Sequence, residues 1–102
     1  MIVMDRRNLS APGWSHVLST TNDVAELDRF RERVGAPPQA LQLGNRRYPH
    51  LDLKLEPRER ALAYPQVRVF ERTSDMLRYL KSMRAAEPTE PGGLAGPSSN
   101  PG

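Results

Sequence analysis

The chain contains no cysteine. That excludes a disulfide framework, a thiolate zinc site, a cysteine nucleophile and a cysteine-ligated iron–sulfur cluster, and it leaves histidine and carboxylate as the ligands for any metal. Aromatic residues are scarce: one Trp, two Phe and three Tyr among 102 residues. No window approaches the roughly 18 apolar residues of a membrane span. The opening MIVMDRRNLS has no hydrophobic centre of the signal-peptide kind, so a cytoplasmic location without a membrane partner is expected. The phosphate-cradling patterns GxGxxG and GxxxxGKS are missing, and no glycine elbow surrounds the hydroxyls of Ser19, Thr20 and Thr21.

What is present is unevenly distributed. Residues 85–102 (AAEPTEPGGLAGPSSNPG) hold four of the ten prolines, four of the seven glycines and one large apolar residue, Leu94. That composition predicts a disordered tail. Residues 1–84 then form a single domain with 15 basic and 10 acidic side chains, a net charge of +5. A body this short buries only about 60% of its unfolded surface, so a homo-oligomer is a fair expectation. Arginine outnumbers lysine 13 to 2, an excess that fits the codon bias of a GC-rich genome as well as an anionic partner.

Residues 1–4 are an unbroken apolar run ended by Asp5-Arg6-Arg7, which predicts a short strand buried on both faces. An irregular stretch with Pro12-Gly13 follows to about Ser19. Asp23 is a helix cap with Glu26 as its capping-box partner, and Val24, Leu27, Phe30 and Val34 recur at helical spacing until Gly35, Pro37 and Pro38 stop them. Residues 40–43 predict a second strand, ended by Gly44-Asn45. Pro57 marks the start of a helix through residue 63, residues 67–70 alternate as a third strand, and Thr73 or Ser74 caps a last helix with Met76, Leu77, Leu80 and Met83 on one face. The expected fold is therefore a small α/β domain of order β-α-β-α-β-α, with an open, mainly parallel three-stranded sheet and flanking helices.

In such a sheet, ligand groups gather beyond the carboxyl ends of the strands. Asp5 follows the first strand, and the two histidines, His16 and His50, are expected in loops that follow strands. His50 and Asp52, two residues apart, point to one side if that segment is extended. Asp5, His16, His50 and Asp52 could thus form a two-histidine, two-carboxylate constellation. It would suit a divalent metal, which would lower the pKa of a bound water. Without metal, a His-Asp pair serves as general base and orienting group, with His50, Asp52 and His16 as the catalytic candidates. The structural alternative is that these histidines bond backbone carbonyls and the aspartates cap turns.

Trp14 stacks on a ligand or lids a small core. Arg46, Arg47, Arg58 and Arg60 either grip phosphate through their planar forks or form a solvated face, with Arg58 and Arg60 salt-bridged to Glu56 or Glu59.

Trp14-Ser15-His16, Glu26-Leu27 with Phe30, Leu41-Gln42 and the segment Tyr48-Pro49-His50-Leu51-Asp52-Leu53 together resemble the domain of unknown function 4031 family, small bacterial and phage proteins. The resemblance covers about residues 1–72. Its most specific part is Tyr-Pro-His-x-Asp with Trp-x-His upstream, and Arg60-Ala61 would fill the family's later Lys-Arg-Ala-like position. The chain departs from the family in four places. Asp5-Arg6 stands where paired aspartates are usual, Asp28 where histidine is frequent and Leu51 where an aromatic is common, and the run from Asp52 to Arg60 is about two residues longer. The resemblance implies no particular reaction. It does imply that His16, His50 and Asp52 belong to one recurring pattern.

The leading functional expectation is a polar site of Asp5, His16, His50 and Asp52 at the carboxyl edge of the sheet. It would take an anionic small molecule, including a phosphate compound, or a divalent metal, with Arg60 near a helix start supplying positive charge, and with hydrolysis as the reaction class. If His16 and His50 lie more than about 10 Å apart, that expectation fails. A second expectation is a non-enzymatic bacterial or phage accessory protein acting by protein–protein contact through an apolar patch at Trp14 and Tyr64. A third is weak nucleic-acid binding, which requires Arg46, Arg47, Arg58, Arg60 and Arg68 on one face.

Overall fold

The computed structural model describes residues 1–86. The first strand, β1 (Ile2–Arg7), is longer than the apolar run that announces it, and Ile2, Val3, Met4 and Asp5 are all buried. The chain turns back through two backbone bonds, Ala11 N–H to Asn8 C=O and Trp14 N–H to Ala11 C=O, with Gly13 at φ 89°. It then enters β2 (Trp14–Ser19), a strand where an irregular stretch was expected.

Helix α1 (Val24–Val34) follows the expected signals closely. Asp23 accepts the Glu26 N–H at 3.1 Å, Gly35 closes the helix in the left-handed region at φ 76°, and Leu27, Phe30 and Val34 form the buried face. The capping box is not reciprocal. The Asp23 N–H goes to the Ser19 hydroxyl, which donates at 2.7 Å to Glu26, whose carboxylate also meets the N-terminal ammonium at 3.1 Å.

A 3-10 turn at Pro38–Ala40 leads to the two-residue strand β3 (Leu41–Gln42), then to β4 (His50–Lys54), α2 (Leu55–Leu62), β5 (Arg68–Arg72) and α3 (Thr73–Ala86). The fourth strand was also unexpected. Its side chains alternate, Leu51 and Leu53 buried and His50 and Asp52 half-buried.

The expected three-stranded parallel sheet is therefore replaced by five strands in the order β3-β4-β2-β1-β5, and the sheet is mixed. Only β1 and β5 run parallel; the β1–β2, β2–β4 and β3–β4 pairs are antiparallel. The turn after Arg7 is too short for a crossover, so β2 has to return antiparallel beside β1. Tertiary pairing with both neighbours then extends β4 through residues that read as loop.

Helices α1 and α2 cover one face of the sheet, where Leu27, Phe30, Val34 and Ala61 pack on Ile2, Met4, Val17, Leu51 and Leu53. Helix α3 covers the other face over β1 and β5, where Met76 and Leu80 pack on Val3 and Leu18. Each fully buried Leu, Met or Val contributes about 1.5–3 kcal/mol of transfer free energy, and both layers depend on the alternation within β1. Helix α3 continues through Ala86, two residues past the expected domain boundary. From residue 87 on, the expected tail lies outside the described residues. No helix among the described residues is long and apolar enough to cross a membrane.

Candidate functional site

The sheet face that carries α3 also carries the candidate site, because pleating places Asp5 with Val3 on β1, His16 with Leu18 on β2, and His50 with Asp52 on β4. These residues lie within strands and not in loops beyond them. Cross-strand register sets His16 directly opposite Asp52 and Gln42 opposite His50.

Asp5 is 0% exposed, yet its carboxylate is fully engaged. One oxygen accepts the backbone N–H of His16 at 2.7 Å. The other accepts His16 Nδ1–H at 2.8 Å and the Thr73 hydroxyl at 2.5 Å. Because a carboxylate only accepts, the Nδ1 proton of His16 is fixed and Nε2 is the atom left for other chemistry. The Asp5 hydrogen bond raises the His16 pKa above 6.5. Burial opposes that rise, while the charges of Asp5 and Asp52 add to it.

His16 and His50 meet edge to face with ring centroids 5.5 Å apart, well inside the separation the site requires. His50 donates from Nδ1 to the Tyr48 carbonyl at 2.9 Å, and its Nε2 faces Asp52 at 3.4 Å. Asn8 closes the upper side: its carbonyl accepts the Ser10 N–H, and its amide nitrogen lies 3.5 Å from His16 Nε2. His16 lines three adjoining hollows. The first, about 160 Å³, has Tyr48, His50 and Thr73; the second, about 270 Å³, has Arg7, Asn8, Arg72 and Ser74; the third, about 340 Å³, has Asn8, Trp14 and Asp52.

Asp5, His16, His50 and Asp52 are not gathered into one set of metal ligands. Among the described residues no group of three or more His, Asp or Glu side chains is placed to hold a metal ion. Both Asp5 oxygens are already spent on His16 and Thr73, which takes that carboxylate out of the expected ligand set.

Arg60 is also displaced from its expected role. It lies in the last turn of α2, where its guanidinium donates to the Val34 carbonyl at 3.0 Å and caps the end of α1 on the other face of the sheet. Its ion pair with Glu56 is as expected, at 3.7 Å, as is that of Arg58 with Glu59, at 3.5 Å. Arg58 also ties two strand ends together, donating to the Ser15 hydroxyl at 2.8 Å and the Arg6 carbonyl at 2.6 Å.

Trp14 borders the hollow with His16 and Asp52, and the Lys54 ammonium sits 4.8 Å over its ring. It also lines a separate apolar hollow of about 300 Å³ with Ala36, Pro37, Ala40, Leu53 and Pro57. Tyr64 packs edge-on against Phe30 and does not line that hollow. The arginines named for nucleic acid are dispersed. Arg60 is on the α1 side of the sheet, Arg68 stacks over Tyr79 on the other, and Arg58 is at the strand ends.

Sequence reasoning missed Thr73 and Asn8 as site residues. Thr73 read as a helix cap, and its bond to Asp5 joins positions 68 residues apart, for which no local signal exists. Asn8 could have been found from its place before Ser10 in a tight turn, where Asn commonly bonds a backbone two residues on. Comparison with family models, with curated proteins and with solved structures returned no match.

Proposed function

We propose that the face around His16 is a binding and proton-transfer site for a small anionic molecule, with hydrolysis of an ester or phosphoester as its reaction class. The observation that carries this reading is the buried Asp5 carboxylate, which holds by Nδ1 a histidine that lines three adjoining hollows and so leaves Nε2 as its free ring nitrogen. In this reading a water molecule bonds the ester carbon or phosphorus as the bond to the leaving oxygen breaks, protonated His16 gives its Nε2 proton to that oxygen, and the proton released by the water returns to His16. Asp5 is the positioning residue that holds the ring and stabilises the imidazolium. His50 and Asp52 flank the same space and orient the ligand. The domain of unknown function 4031 resemblance belongs to the same proposal, since its most specific residues are His16, His50 and Asp52.

The test is an NMR titration of the two imidazole rings with acetate and with inorganic phosphate, alongside turnover of 4-nitrophenyl phosphate. A saturable shift of the His16 ring with either anion, together with turnover that is lost in a His16→Gln variant, supports the reading. Rings that respond to neither anion, together with no turnover above buffer, remove it.

A further inference from the structure

Arg7 and Arg72 stand directly opposite each other on the parallel strands β1 and β5. Like charges in that position repel and destabilise the pair of strands. The neighbouring positions show how this chain otherwise handles such charges, since Arg6 is neutralised by Glu71 at 3.1 Å and Arg78 by Asp75 at 3.1 Å. None of the ion pairs formed among the described residues includes Arg7 or Arg72.

Both residues line the same hollow of about 270 Å³, which His16 borders and which Asn8, Ser10, Thr73 and Ser74 complete. Thr73 and Ser74 also open the 14-residue helix α3, whose first-turn N–H groups lack helical partners. Two arginines without a carboxylate partner, the hydroxyls of Ser10 and Ser74 and the amide of Asn8 belong to the residues that border this hollow, while the Thr73 hydroxyl is already given to Asp5.

We propose that Arg7 and Arg72 form the seat of a phosphoryl group carried by a small molecule, with His16 at its inner wall. A phosphoryl dianion matches the two planar forks bidentately and offsets the Arg7–Arg72 repulsion, which a single carboxylate does less completely. The seat deepens the reading of His16 given above and rests on it only for the part His16 plays.

The experiment measures binding of inorganic phosphate to the full chain by calorimetry and by thermal melting, with acetate and with sodium chloride at matched ionic strength as comparisons. Wild type is expected to prefer phosphate to acetate and to melt at a higher temperature in phosphate than in chloride. Arg72→Gln and Arg7→Gln are each expected to weaken phosphate binding about tenfold. They are also expected to melt higher than wild type in phosphate-free buffer, because each removes the repulsion, and to lose the phosphate-dependent rise. A residue with a merely structural role would lower the melting temperature instead.

Phosphate that stabilises no more than chloride, or binding unchanged in the Arg7→Gln/Arg72→Gln double variant, overturns the seat. His16→Gln separates the two readings. If the arginine-dependent preference for phosphate persists in that variant and the wild-type His16 ring responds to no anion, the seat stands and the His16 reading falls. If the His16 ring responds to acetate and phosphate equally and the arginine variants change nothing, the seat falls and the His16 reading stands.

Discussion

The Asp5 carboxylate grips His16 twice, accepting its backbone N–H at 2.7 Å through one oxygen and its Nδ1–H at 2.8 Å through the other. The first bond joins β1 to β2 at the point where the hairpin opens, and the second fixes the imidazole that lies over it. A third bond, from Thr73, ties α3 to the same carboxylate. One buried acid therefore joins three elements and orients the ring on which the candidate chemistry turns.

Replacing that acid tests both roles. Asp5→Asn keeps the shape but puts an amide NH2 against donors, so at least one buried donor loses its partner. A loss of about 3 kcal/mol in urea denaturation is expected. The His16 ring should then titrate closer to 6.5, because the bond that raises it is gone. Thr73→Val removes one hydroxyl bond only and should cost about 1 kcal/mol. Equal stability of Asp5→Asn and wild type would show that the carboxylate does not organise the site.

The pH dependence of stability follows from the same pair. The pKa of His16 is raised in the folded protein above the value of 6.5 that it has when unfolded, mainly by the Asp5 bond. The folded state therefore binds the proton more tightly, and the stabilisation is fully present below pH 6.5. It is lost as pH rises through the higher folded pKa. Urea midpoints measured from acid to alkaline pH should fall over that window in wild type and fall less in His16→Gln. Identical slopes in the two proteins would assign the dependence to other groups.

The part of this architecture that local pattern carries is the helical part. Asp23, Gly35 and the Leu27–Phe30–Val34 stripe define α1 without reference to any other element, and the alternation at residues 67–70 does the same for β5. The strands that bear the site were harder to see for a physical reason. In β2 and β4, His16, His50 and Asp52 are half-buried on a sheet face that α3 leaves partly open, and they interrupt the apolar residues of those strands. Polar residues between turn signals read as loop, although the alternation of His50, Leu51, Asp52 and Leu53 is that of a strand. The site itself was legible as a set of residues but not as a geometry. The pairing of Asp5 with His16 depends on hairpin register, and that of Asp5 with Thr73 on the docking of α3.

Leu55 offers a prediction about strain. It begins α2 at φ 56°, in the left-handed region that disfavours a side chain, and it is 73% exposed, so no packing compensates. Leu55→Gly should raise stability by up to about 1 kcal/mol, read as a higher urea midpoint with an unchanged slope. Asn22 has the same φ, but its amide donates to the Arg47 carbonyl at 3.2 Å and its carbonyl accepts from Arg84 at 2.5 Å. Asn22→Gly should therefore show no such gain.

Arg60 separates structure from function. Its guanidinium reaches the Val34 carbonyl at the end of α1, where a positive charge also complements the helix dipole. Arg60→Met keeps the aliphatic stem and removes the donor, and should lower stability by about 1 kcal/mol. Because Arg60 lies across the sheet from His16, the response of the His16 ring to phosphate should be unchanged in this variant. A stable Arg60→Met protein that has lost its anion response would return Arg60 to the site and would require the α2 side of the sheet to take part in binding.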